Sequence, residues 1–192
     1  MILPWCKRLP ASVQVCGTEY EIRSDYRVIL DICAALSDAE LSEKEKAFVA
    51  LDIFYPDFSV MPQEHYQGAM QQCFEFINCG DQQQSRPAPK LIDWEQDFKY
   101  IVAPINRIMG QEIRTMEYLH WWTFIAAYYE IGECLLAQIV RIRNKKTRGK
   151  PLDKFDREWY QQNRELVDMK TSYTSRENEL LDMWMGKKES AP

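Results

Sequence analysis

A chain of 192 residues with 46% hydrophobic and 28% charged side chains can close one core without disulfides or metal, and disorder is excluded as its main state. Its net charge of −5 argues against general affinity for nucleic acid, since phosphate binding needs a surplus of Lys and Arg. No apolar run approaches the roughly 18 residues of a membrane span, and no cationic and apolar leader opens the chain, so a cytosolic protein is expected.

The first element reads as β. Ser12-Val13-Gln14-Val15 alternates, Cys16-Gly17-Thr18 offers a turn, and Glu19-Tyr20-Glu21-Ile22 alternates again, which predicts a hairpin. A lone hairpin is marginal and must lie on the helices after it. After Ser24-Asp25, a candidate N-cap, Tyr26, Ile29, Leu30, Ile32, Cys33 and Leu36 recur at helical spacing. Ser42 and Glu45 have capping-box spacing ahead of Phe48, Val49, Leu51, Ile53 and Phe54, and Pro56 ends that helix. Pro62 opens another, which carries Tyr66, Met70, Cys73, Phe74 and Ile77 and stops at Gly80.

Residues 81–89 are polar, with three glutamines and two prolines, and read as an exposed loop. A helix then starts at Asp93 and runs through Trp94, Phe98, Ile101 and Ile105 to Gly110, with a kink or break expected at Pro104. Residues 115–131 are predicted as the most apolar helix, central to the core, and a further helix covers 134–142. From Pro151 onward, Leu152, Phe155, Trp159, Leu166 and Met169 form a stripe of heptad-like spacing. Thr174 and Glu177 cap a last helix with Leu180, Leu181, Met183 and Trp184. The expected fold is mainly α: a short N-terminal β-hairpin packed on a bundle of six to eight helices. Residues 1–150 make the hairpin and core, and 151–192 make a C-terminal helical arm.

Chemistry is sparse. The only histidines are His65 and His120, and neither a nucleophile elbow nor a Gly-rich phosphate loop is present. His120 and Glu117 are three residues apart and could orient a proton, but a core histidine satisfied by a nearby carboxylate or carbonyl explains the pair more simply. Six cysteines (Cys6, Cys16, Cys33, Cys73, Cys79, Cys134) lack the paired spacing of zinc sites. Cys73 and Cys79 in particular read as packed helix residues. No enzyme, metal or cofactor is expected.

Residues 141–154 hold seven Lys and Arg against Asp153 alone, a pattern that marks a solvated loop or a docking site for an acidic partner. Lys145 and Lys146 are the docking candidates. Nucleic-acid binding would recruit Trp159 and Tyr160 for stacking, yet core-stripe spacing accounts for them first. Protein binding remains, with Phe155, Trp159 and Trp184 as anchors. The same stripe could instead close the chain's own bundle.

Four segments in order resemble the bacteriophage gene-product-15 family of siphovirus and prophage proteins. They are the opening Leu9-Pro10-x-x-Val13-x-Val15-x-Gly17-x-x-Tyr20-x-Ile22-x-x-Asp25-Tyr26-Arg27, then Leu51-x-x-Phe54-Tyr55-Pro56. The acidic-aromatic run Asp93-Trp94-Glu95-Gln96-Asp97-Phe98-Lys99-Tyr100-Ile101 comes next, with Asp97 and Tyr100 matching the family's core. The most specific string is Tyr118-Leu119-His120-Trp121-Trp122-x-Phe124. Ala103-Pro104-Ile105 departs from the family's Ala-rich continuation, and after Lys150 only the general character matches.

The resemblance implies a tail-morphogenesis product of the kind encoded between the tail tube and tape-measure genes. Proteins from that position act as tail assembly chaperones, binding the tape-measure protein and recruiting tail tube protein. It further implies action in the bacterial host cytoplasm, absence from the mature virion and self-association. The alternative is a structural virion component, such as a tail-completion or connector subunit.

Overall fold

The computed structural model describes residues 8–80 and 89–170; residues 81–88, the 174–177 capping box and Trp184 lie outside these. Strands β1 (Ser12–Val15) and β2 (Thr18–Glu21) pair antiparallel, with Val13 opposite Tyr20 and Val15 opposite Thr18. The two loop residues both have positive φ, 51° at Cys16 and 83° at Gly17. That pair of signs matches the right-handed twist of the strands, and glycine takes it without strain. Val15 is buried and meets the third helix at Gly68, where a Cβ would lie 3.2 Å from the valine methyl.

The described residues hold eight α-helices, so the fold is mainly α with an N-terminal hairpin. Helix α1 (Tyr26–Ser37) starts where Asp25 accepts the Arg27 N–H. Helix α2 (Glu43–Phe54) opens on the reciprocal Ser42–Glu45 capping box. Pro62 opens a single 3-10 turn (Gln63–His65) that leads into α3 (Tyr66–Ile77). Helix α4 (Trp94–Met109) begins at Asp93, which accepts the Gln96 N–H. Helices α5 (Trp121–Tyr129), α6 (Leu135–Thr147), α7 (Lys154–Gln162) and α8 (Arg164–Val167) complete the order. Helix α1 is central and touches α2, α4 and α5. Its Tyr26 stacks on Phe124 of α5 at 4.8 Å between ring centres.

Several expectations change. Helix α4 runs through Pro104 without a break. The proline removes one N–H, whereas Ile101, Val102, Pro104 and Ile105 are all buried and hold both sides of the turn. Residues 115–131 are not one helix. Only Trp121–Tyr129 is α, because residues 117–121 spend their backbone groups on the segment entering α1. Cys73 is a buried helix residue, but Cys79 lies past the end of α3 at φ 58°. The terminal stripe is interrupted at Asn163, between α7 and α8, and Phe155 stays 66% exposed. Charge, rather than that stripe, ties α7 to the core.

The basic segment is likewise not a solvated loop, since α6 continues to Thr147 and its cations face the chain's own acids. Arg141 and Lys145 both bond Asp156, whose side chain is 1% exposed, at 2.8 and 2.5 Å. Lys146 reaches Asp168 and the Tyr160 hydroxyl, each at 2.5 Å. Lys145 and Lys146 therefore brace α7 and the chain after α8 against α6. Trp159 is half-buried on α7.

At the centre is Arg143, 4% exposed, against Asp97, 0% exposed. Its Nη1 and Nη2 donate to the two Asp97 carboxylate oxygens at 2.5 and 3.0 Å. The remaining N–H groups go to the carbonyls of Leu91, Leu166 and Val167 at 3.0, 3.1 and 2.6 Å. All five guanidinium donors are thus used, and α4, α6, α8 and the stretch of chain before α4 meet at one group. Arg143→Ala leaves the Asp97 charge buried and alone, so we expect a loss of about 3–5 kcal/mol in chemical denaturation. The pair D97L/R143M should also lose stability, because three carbonyls keep no donor. A double variant as stable as the parent would refute this assignment.

Candidate functional site: an aromatic joint and an open groove

The string from Tyr118 to Phe124 builds a joint between three helix ends. Leu119 donates its N–H to Asp25 at 3.0 Å and accepts from the Tyr26 N–H at 2.9 Å. Trp121 donates its N–H to the Ser24 carbonyl at 2.8 Å, and the Tyr118 and Ser24 hydroxyls lie 2.7 Å apart. Asp25 therefore caps α1, holds Leu119 and pairs with Arg27 at 2.7 Å. On the α3 side, the Trp121 and Trp122 indole N–H groups donate to the carbonyls of Ile77 and Phe76, each at 2.9 Å. The last turn of a helix leaves such carbonyls without intrahelical donors, so the Trp121 indole supplies the Ile77 carbonyl, and the Trp122 indole joins the Cys79 N–H on the Phe76 carbonyl.

His120 closes the start of α5. Its Nδ1 accepts the Trp122 N–H at 3.0 Å, which leaves Nε2 as the donor to the Pro10 carbonyl at 3.0 Å. Burial lowers its pKa, and the Pro10 bond only partly opposes that, so the ring is neutral at pH 7. The ring is satisfied by backbone groups, as a core histidine should be. Glu117 offers Arg27 its backbone carbonyl at 3.0 Å. Phe124 is fully buried between Tyr26 and Trp121, and Tyr100 is half-buried beside Lys99. The joint is packed, and its polar groups are occupied by the chain itself.

The open surface lies beside it. A groove of about 900 Å³ runs between the outward face of α1 and the first turns of α4. Leu30, Cys33 and Ala34 face Trp94 and Phe98 across it, and a rim of both charge signs includes Asp31, Asp38, Glu95 and Arg114. Burial pushes the Cys33 thiol up to about 11, so it is protonated at neutral pH and no nucleophile stands in the floor. Among the described residues, no group of three or more His, Cys, Asp or Glu gathers as for a metal, and no helix is long and apolar enough to cross a membrane. A smaller hollow next to Glu133, Ala137 and Arg141 is edged by Phe155.

Sequence reasoning did not find the groove. The available signal was that α1 is apolar on two faces: Leu30 and Ala34 add to the buried stripe of Tyr26, Ile29 and Ile32. Of the anchors named from sequence, Phe155 is exposed, Trp159 is half-buried, and Trp184 lies outside the described residues. None of the described anchors lines the groove.

The Asp25 carboxyl is pulled two ways. Burial raises its pKa, and bonds from Arg27 and the Leu119 N–H more than offset this, so the net shift is downward. A lowered folded-state pKa contributes stability above the unfolded value of about 3.9, and that contribution fades as pH falls. Asp25→Asn should cost about 1–2 kcal/mol at pH 7. The gap to the parent should narrow below about pH 4 as the parent's own carboxylate protonates. Denaturation curves at pH 7 and pH 3 measure it, and a gap that widens on acidification would contradict the assignment.

The family model described as Bacteriophage Gp15 protein matches residues 6–169. No curated protein and no solved structure matches the chain. Since one match takes in the hairpin, the aromatic joint and the Asp97–Arg143 centre, the chain belongs to the bacteriophage Gp15 family and is a phage structural or morphogenesis protein.

Proposed function

We propose that this chain is a tail assembly chaperone that binds helical segments of the tape-measure protein in the α1–α4 groove and helps bring tail tube protein to them. The observation that carries this reading is the groove itself, an apolar floor open to solvent with a rim of both charge signs. An amphipathic helix can lay its apolar face on Leu30, Ala34, Trp94 and Phe98 while its polar face meets the rim. Chemistry is not the better reading: His120 is neutral and capped, and the Cys33 thiol in the groove floor is held protonated.

A long tape measure offers many such segments. Several copies of the chain, self-associated or side by side, gain avidity without tight single contacts. A growing tube can then displace them. The reading places the protein in the bacterial host cytoplasm with no cofactor, no nucleic acid and no membrane among its partners.

Tape-measure protein expressed alone should aggregate and should stay soluble when this chain is co-expressed. Ala34→Arg should weaken that binding about tenfold, equivalent to roughly 1.4 kcal/mol. Failure to rescue, with both chains well expressed, would sink the proposal.

The second reading is a retained virion subunit for tail completion or connection. Exposed Phe48, Val60, Tyr129 and Phe155 lie outside the groove and would suit a subunit with more than one neighbour. Peptide mass spectrometry of purified virions separates the two. A chaperone should be absent, and a defined copy number would favour the subunit.

A further inference from the structure

The rim of the α1–α4 groove carries both charge signs, but the two are not equally available. Of its four cations, Arg27 is paired with Asp25 at 2.7 Å, Arg114 with Glu112 at 2.8 Å, and Lys90 with Asp93 at 2.9 Å. Asp25 and Glu112 take no part in the groove lining, so Arg27 and Arg114 are neutralised by carboxylates that a ligand would not meet. Among the described residues, Lys170 is left as the one rim cation outside an ion pair. Against it stand Asp31, Asp38 and Glu95, all exposed and none of them in an ion pair among the described residues.

These carboxylates come from both helices that form the groove. Asp31 and Asp38 are two turns apart along α1, about 10 Å, with Ala34 and Ala35 of the lining between them. Asp38 accepts the Glu40 N–H, which holds its carboxylate just past the end of α1. The partial negative charge of the last helical carbonyls adds to it there, and no basic residue in the last turn offsets the two. On the α4 side, Glu95 adjoins Trp94 and precedes Phe98 by one turn. The surface is apolar along its floor and acidic at its rim.

Resting on the reading of this groove as a helix-binding surface, we propose that it selects its partner by charge. It takes basic amphipathic helices, in which Lys or Arg flank the apolar stripe, and rejects acidic helices with the same stripe. A helix lying along α1 meets Asp31 and Asp38 with basic residues two turns apart, and meets Glu95 with another on its opposite flank. Exposed pairs of this kind are individually weak, but several act together, and their main effects are on specificity and on the rate of encounter. A second copy of the chain is the poorer fit. Its net charge is −5, and α6, the most basic of the described helices, has committed Arg141, Arg143, Lys145 and Lys146 to its own acids.

The test titrates the full chain into two fluorescein-labelled helical peptides of about five turns, long enough to span α1, and reads anisotropy. The peptides share one stripe of Leu and Phe and carry either Lys or Glu on both flanks. The Lys peptide should bind about tenfold tighter in roughly 50 mM salt, and the gap should shrink in roughly 300 mM salt. D31K/E95K should cancel the preference, and D31N/E95Q should reduce it where the reversal fails to fold. E64K/E133K changes the net charge as much as D31K/E95K at two exposed acids outside the lining, and should leave the preference intact. Equal affinities, a preference for the Glu peptide, binding of neither peptide, or an equal loss in E64K/E133K would each overturn the proposal. Equal affinities would leave the chaperone reading standing, whereas a failed tape-measure rescue would leave the peptide preference standing.

Discussion

The fold turns on one buried guanidinium. Arg143 gives two N–H groups to Asp97 and one each to Leu91, Leu166 and Val167, so a single side chain joins α4 to α6, α8 and the chain that enters α4. Burying two charges is costly unless every donor finds an acceptor, and here each does. That completeness explains why the largely polar α7 and α8 stay docked. Among the arm's described residues the buried groups are Asp156 and Val167, and the contacts with α6 include three ion pairs of Arg141, Lys145 and Lys146.

The aromatic string from Tyr118 to Phe124 solves a different problem. Three helix ends converge there, and each exposes backbone groups that burial would otherwise leave unpaired. Asp25, His120 and the two indoles supply the missing partners within one layer. The most specific string in the chain is thus a device for joining elements. Its distinctness comes from how many separate bonds must be met at once.

Function then falls to the surface left over. Helix α1 is packed on one face and apolar on a second, and the second forms the floor of the groove. Such a surface suits reversible binding of an amphipathic helix.

What the sequence determined by itself was local. The positive-φ turn at Cys16-Gly17, the caps at Asp25, Ser42 and Asp93, and the mainly helical class all rest on bonds between residues a few positions apart. Tertiary structure decided the rest. Residues 117–120 have helical periodicity, yet their backbone is claimed by Asp25, Tyr26 and Arg27, 90 or more positions earlier. The run of cations in α6 reads as solvated until Asp97, Asp156 and Asp168 are folded against it. The groove belongs to neither helix alone, since its walls are two faces that only packing sets side by side. A sequence carries the donors and acceptors, and the fold chooses which of them meet.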